Sequence, residues 1–447
     1  MSTDWSAPPS HTALLERGVA ARKDTPRRLL SELTDGSRDP LGILDAQNRT
    51  RQQDLVPLRR ERMAASPFAF YRGTAALMAA DLADAPHSGI LVASCGDAHV
   101  SNFGFYASAQ RSLMFDLNDF DEAAWAPWEW DVKRLVASIV IGGMATGRSD
   151  AVIDAAALAA VTAYARGIAR STSLSPKERY YSHFDVESSR RLLDKASRAA
   201  IRTSVRQAEK RTGERAVRKL TQTDAAGRRR FILQEPTTSP VGEELRANVQ
   251  AMVAQYRSTA SPDVALLFEH YGVSDVARRV VGVGSVGTRC YLVLFQDGDD
   301  NTLLMQPKQA SQSVLAEYGR VTQPPALQAL VDQHGEGARV VAMQRILQAL
   351  SDPFLGHLRA ENADYYVRQF HDMKGSVEVE ELEDGPFVTY AQACAAVIAR
   401  AHSQSVTASC VAGYIGGGRA VAASLLEWGR RYAEVSLADY RSFVSAS

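Results

Sequence analysis

Hydrophobic and polar positions along the chain change their period several times, and each change marks a predicted element. Residues 1 to about 60 are polar and arginine-rich, and Pro8, Pro9, Pro26, Pro40 and Pro57 interrupt any long helix, so an irregular basic arm is expected there. Ser66-Pro67 then supplies a serine cap and a first-turn proline for a helix over Phe68–Leu82. The short apolar run Ile90-Leu91-Val92-Ala93 predicts a buried strand, and Ser112–Leu117 a second. Two largely buried helices are expected over Asp131–Ala145 and Ala151–Ala169. Further on, Val280–Val283, Thr288–Phe295 and Thr302–Gln306 predict three strands, joined by a Gly-rich turn and by an Asp297-Gly298 turn. Arg339–Leu350 suits a helix and Asp364–Phe370 a strand. Tyr390, Cys394, Val397, Ile398 and Ala401 fall at i, i+4, i+7, i+8 and i+11, which marks an amphipathic helix ending near His402. No internal repeat is visible.

Composition narrows the class without choosing a function. At 447 residues the chain can bury two cores, and 45% hydrophobic with 23% charged residues is ordinary for a soluble globular protein. The 51 basic residues balance the 51 acidic ones, so no global field draws the molecule to nucleic acid or an anionic membrane. Locally, residues 187–230 hold fourteen Arg or Lys against five Asp or Glu. That predicts a solvated helical connector or, alternatively, a surface for a phosphate-rich partner. Few aromatics interleave with the charges, so single-stranded nucleic acid is not expected as a partner. Cys95, Cys290, Cys394 and Cys410 form no CxxC pair, which argues against zinc and disulfides and for a reducing cytoplasm. The start of the chain has no basic and apolar leader pattern, and no run approaches the roughly 18 apolar residues of a membrane span.

Three clusters carry chemistry. Cys95-Gly96-Asp97-Ala98-His99-Val100-Ser101-Asn102 places an acid, an imidazole and an amide on one short loop. An aspartate followed five residues later by asparagine meets a need of phosphoryl transfer: the acid aligns or deprotonates the acceptor, and the amide oxygen holds a metal. An Asx-turn with a capping aspartate is the plain alternative. In Asp116-Leu117-Asn118-Asp119-Phe120-Asp121-Glu122, four acids at a strand end repel one another unless a cation sits among them. Magnesium, which takes hard oxygen ligands, is the economical choice, and a solvated acidic turn is the alternative. Gly282-Val283-Gly284-Ser285-Val286-Gly287-Thr288 lies between strands, with Lys308 on a later strand. A dinucleotide fingerprint would open into a helix, whereas this order suits a lid over phosphates or a simple hairpin turn.

These residues resemble a known superfamily. Gly96-Asp97-Ala98-His99-Val100-Ser101-Asn102 resembles the Gly-Asp-x-His-x-x-Asn catalytic loop of aminoglycoside phosphotransferases and related small-molecule kinases. Asn118-Asp119-Phe120-Asp121-Glu122, followed by Trp130-Asp131, resembles their next motif. The resemblance implies that Asp97, with His99 beside it, is catalytic, that Asn102 and Asp119 bind magnesium, and that Asp131 braces the loop. Asp116 rivals Asp119 as a metal ligand. Gly282, Gly284, Ser285, Gly287, Thr288 and Lys308 would bind ATP, with Glu317 as the partner of Lys308. From roughly Arg51 to Arg441 the chain is also similar to the bacterial family called domain of unknown function 2252, through Ser66-Pro67-Phe68, Trp130-Asp131-Val132-Lys133-Arg134 and Asp372-Met373-Lys374-Gly375-Ser376.

In ordinary kinases the Gly-rich loop precedes the catalytic loop; here Gly282 follows Asp97 by 185 positions (282 less 97). The implied architecture is therefore α+β, a two-lobed protein-kinase-like fold in circularly permuted order. It comprises an arm over 1–60, a catalytic half over 61–175, a basic helical connector over 176–270, a nucleotide lobe over 271–380, and C-terminal helices over 381–447 that return to the catalytic half. The expected activity is transfer of phosphate from ATP, with magnesium, to a hydroxyl of an unidentified acceptor. Transfer of AMP, nucleotide binding without turnover, and metal-dependent hydrolysis are the alternatives.

Overall fold

The computed structural model describes residues 7–34, 38–184, 186, 194–360, 363–370 and 373–446. Asp372 and residues 187–193 of the basic connector lie outside them. The chain is a mixed α+β structure with several antiparallel sheets. Thirteen strands occur among the described residues: β1 Leu91–Ser94, β2 Phe103–Ala107, β3 Leu113–Leu117, β4 Ala124–Pro127, β5 Thr221–Thr223, β6 Arg229–Phe231, β7 Thr238–Pro240, β8 Gly272–Arg279, β9 Tyr291–Gln296, β10 Thr302–Ala310, β11 Gly356–Ala360, β12 Ala363–Gln369 and β13 Gly375–Ser376.

One half of the molecule is mostly helical. Its core gathers helices Trp128–Ala145, Asp150–Thr172, Asp384–His402 and Arg419–Ser445 around Trp128, Tyr164, Ile168, Ile398 and Trp428. Trp128 stacks on Tyr164 with ring centroids 5.5 Å apart. The pairs β1–β4 and β2–β3 lie against these helices, and β13 adds to the open edge of β2 through Gly375↔Phe105 and Ser376↔Gly104. Helix Asp150–Thr172 is long and apolar enough to cross a membrane by length and composition, contrary to the sequence expectation. Its inner face, including Ala156, Ala160, Tyr164 and Ile168, is buried in the helical core, as for a core helix.

The other half is a six-stranded antiparallel sheet in the order β11-β12-β10-β9-β8-β7. Residues alternate faces along each strand, so β9 splits its apolar side chains between two cores. Val293 and Phe295 meet Tyr256 and Phe268 on one side, whereas Leu292 and Leu294 meet Val217 and Phe231 on the other. The connector thus carries more than helices: it also contributes the β5–β6 hairpin and the edge strand β7.

Three further expectations fail for identifiable reasons. The helix expected over Phe68–Leu82 is two, Pro67–Arg72 and Ala75–Ala83, because Gly73 caps the first. The N-terminal residues form helices His11–Ala21, Pro40–Arg49 and Val56–Ala64, because Pro40 and Pro57 stand in first turns, where the missing N–H costs nothing. The expected strand Val280–Val283 is instead the start of an irregular connection: β8 ends at Arg279, and the positive φ of Gly282 (70°) turns the chain out of the sheet.

Candidate functional site

The loop after β1 depends on a buried carboxylate. Asp131, in the first turn of helix Trp128–Ala145, accepts the N–H groups of Cys95 (2.7 Å) and Gly96 (2.9 Å). His402 Nε2 lies 3.0 Å from the same carboxylate, and its Nδ1 is 2.8 Å from the Tyr164 hydroxyl. Only glycine fits at position 96, since φ is +81° and a Cβ there would strike the Glu122 carbonyl. The chain is thereby turned so that Asp97 faces the space between the two halves. Arg134, one helical turn beyond Asp131, donates from Nε to Asp97 Oδ1 at 2.8 Å and from Nη2 to the Tyr71 carbonyl at 2.8 Å. That double attachment fixes the Asp97 carboxylate.

Asn102 links the first acidic loop to the second. Its Nδ2 donates to the carbonyls of Asp97 (2.9 Å) and Asp119 (3.2 Å), which leaves Oδ1 as the amide atom outside those bonds. Asp119 is 41% exposed at the side chain and lines the cleft. Lys308 Nζ, arriving from β10, stands 3.4 Å from Asp119 Oδ2 and pairs with Asp121, whose other oxygen accepts the Tyr366 hydroxyl at 2.8 Å. The amine lies well inside the separation of roughly 10 Å that a triphosphate with its metal would require. It is only 2% exposed, so it sits beneath the acids and does not itself line the cleft. Partial desolvation at the cleft wall pushes the Asp119 carboxyl up, but the Lys308, Arg368 and Lys374 charges outweigh it and hold the group below the usual carboxylate range. Burial also lowers the Lys308 amine; its two carboxylates reverse this and keep it charged.

The glycine turn faces these acids. Gly282, Gly284, Ser285 and Thr288 line a cleft of about 310 Å³ together with Asp97, Asn102, Asp119 and Glu122. Gly287 does not line it: its φ is +89° and its carbonyl accepts Gln52 N–H at 2.8 Å. The turn is tied to the N-terminal segment by Arg51 Nη1 on the Val286 carbonyl and by Arg62 Nη1 on the Gly282 carbonyl, both 2.6 Å. Arg51, Arg72, Arg211 and Lys374 bring positive charge to the same cleft.

Several expected residues occupy different roles. Asp116 is no rival for Asp119: the two-residue alternation of β3 turns it into the core, where its carboxylate accepts Leu117 N–H and Ala349 N–H, each at 2.9 Å. Glu317, at the exposed end of helix Val314–Glu317, is not the partner of Lys308, because Asp119 and Asp121 already hold that amine. His99 is buried with Nε2 3.7 Å from Asp97 Oδ2, and burial brings its imidazole down to about 4. It is therefore neutral near pH 7, which suits a polar neighbour of Asp97 better than a proton carrier.

Asp121, Arg134, Tyr366, Lys374 and His402 were not foreseen as site residues. Asp121 had a signal, since four clustered acids demand a cation. Arg134 and Lys374 stood in segments noted for family resemblance alone.

Among the described residues, no group of three or more His, Cys, Asp or Glu side chains could by itself hold a metal ion. Magnesium remains compatible with the donor set, because it commonly takes only one or two protein oxygens and completes its shell with phosphate and water. Asp119 and Asn102 supply donors of that kind.

The fold and the site define an α+β protein with a mixed acidic and basic cleft between a helical half and an antiparallel sheet. The chain belongs to the family described as "Uncharacterized protein conserved in bacteria (DUF2252)", whose model matches residues 51–446. No curated protein and no solved structure matches it.

Proposed function

We propose that this chain is an ATP- and magnesium-dependent phosphotransferase of kinase-like, circularly permuted fold, acting on a hydroxyl group. The observation that carries the reading is the contact of Lys308 with Asp119 at 3.4 Å across 189 positions of sequence, with the glycine turn lining the same cleft. Each motif alone has a plain explanation; their convergence on one cleft with two kinds of charge favours a polyphosphate and its metal.

In this reading Asp119 and Asn102 would hold magnesium, which when bound offsets charge on the transferring phosphoryl group. Lys308 keeps Asp119 ionised. Asp97, aligned by Arg134, accepts the proton of the acceptor hydroxyl, while Arg51, Arg72 and Lys374 bind phosphate oxygens. The Gly282–Thr288 turn covers the phosphates and limits the access of water. ATP labelled at the γ- or the α-phosphate, incubated with the chain, magnesium and a pool of small bacterial metabolites, tests the reading. Transfer of the γ-label is expected; transfer of the α-label means AMP transfer, and binding without consumption of ATP means a non-catalytic role.

A further inference from the structure

A second pocket, of about 450 Å³, opens where helices Lys195–Lys210 and Gly213–Leu220 meet the edge of the large sheet. Lys210, Arg211, Arg215, Lys219 and Arg279 line it, and among the described residues no acid does. Among the described residues none of these five forms an ion pair. Arg279 instead donates to the Thr238 hydroxyl at 2.6 Å, and its Nε is buried without a partner. Arg215 and Lys219 lie four apart on one helix, a spacing at which like charges repel. Lys210, Arg211, Arg215 and Lys219 are exposed and solvated, so the buried, unpartnered Arg279 Nε is the group that most needs an acceptor, and an anion entering the pocket would meet all five cations.

Two observations connect this pocket to the cleft. Arg211 lines both cavities, and its carbonyl accepts the N–H of Met373, the residue before the cleft-lining Lys374. The remaining lining includes Gln207, Thr212, Gln234 and Thr237, uncharged groups that pair with hydroxyls. The volume is that of a small-molecule site.

We infer that this pocket holds the acceptor, a small polyhydroxy compound already carrying a phosphate, anchored by Lys210, Arg211, Arg215, Lys219 and Arg279. This identification of the acceptor rests on the phosphotransfer reading; the anion pocket itself does not. A free hydroxyl of the anchored molecule points past Arg211 into the cleft and attacks the terminal phosphorus of ATP. The new O–P bond forms as the bond to the bridging oxygen breaks, ADP leaves with that electron pair, and Asp97 takes the hydroxyl proton.

Calorimetric titration of the full chain with glycerol 3-phosphate, ribose 5-phosphate and inorganic phosphate, beside unphosphorylated glycerol and ribose, tests the pocket. The parent should bind at least one phosphorylated probe at millimolar concentration and neither unphosphorylated one. In the double variant Arg215→Gln, Lys219→Gln that affinity should fall about tenfold or more, as for loss of charged contacts to phosphate. Stabilisation by ATP with magnesium should stay unchanged in the variant. Binding equal in parent and variant, or no binding of any phosphorylated probe by the parent, overturns the pocket. Probe binding that follows the variant while ATP with magnesium never stabilises the parent leaves the anion pocket standing and overturns the transfer reading.

Discussion

The acidic loops and the glycine turn face each other across one cleft but are held in place in opposite ways. The loops at Cys95–Asn102 and Asn118–Glu122 hang on buried groups: Asp131 with His402 and Tyr164 behind it, Arg134, and Arg339, which donates to the Asp121 carbonyl at 2.9 Å and the Ala123 carbonyl at 2.6 Å. The turn at Gly282–Thr288 is tied by Arg51 and Gln52, which stand between two N-terminal helices, and by Arg62, whose bond to Gly282 is exposed. A buried charge left without its partner costs several kcal/mol, whereas an exposed hydrogen bond costs little. The acids are thus fixed by buried partners, whereas the turn is anchored at Val286, which packs on Leu55 and Val280, and only weakly at Gly282.

This contrast is open to direct attack. Asp131→Ala strips three partners from a buried site and should cost about 3–5 kcal/mol in denaturant unfolding; a loss below about 1 kcal/mol would show that the loop does not depend on it. Asp97→Asn should leave nucleotide binding in place and reduce turnover by about 10²-fold or more. Turnover within a few-fold of the parent would remove Asp97 from the chemistry.

The pH response is the next largest effect. The neighbouring Arg368 charge, with burial second, brings the Lys374 ammonium down to about 7. A bound phosphate raises it again, so binding takes up a proton. Affinity is then fullest below pH about 7 and declines as pH rises above it, until the pKa of the bound state is reached. Titrations from about pH 6 to 9 check this, and a flat affinity would separate Lys374 from the bound anion. The smallest effect belongs to the turn. Arg62→Ala should cost no more than about 1 kcal/mol, yet hydrogen exchange should quicken over Val280–Cys290 while Cys95–Asn102 stays protected. Equal changes in both segments would erase the distinction between them.

The sequence carried the long periodic elements well: the helices expected over Asp131–Ala145 and Ala151–Ala169 occur as Trp128–Ala145 and Asp150–Thr172. Strong apolar periodicity survives whatever packs against it. The arm was misread because a proline breaks a helix interior but begins a first turn, and the choice depends on caps such as Asp39, whose side chain accepts Gly42 N–H. Asp116 and Asp119 could not be separated by residue type, since strand register decides which carboxylate reaches the cleft. The pairing of Lys308 with Asp119 and Asp121, in place of Glu317, depends on a contact across 189 positions that no local pattern encodes. His402 was legible as a helix end, but not as the group that supports Asp131.

The central claim is that Asp119 holds a metal beside a nucleotide, and melting curves of the folded parent and of Asp119→Asn, with ATP in the presence and absence of magnesium, test it most directly. Ligand at about a hundred times its dissociation constant stabilises a native state by roughly 2.7 kcal/mol. The parent should therefore melt at a higher temperature with ATP and magnesium together, and the variant should lose the magnesium-dependent part of that rise. A parent indifferent to ATP with magnesium, or a variant stabilised as much as the parent, would contradict the assignment.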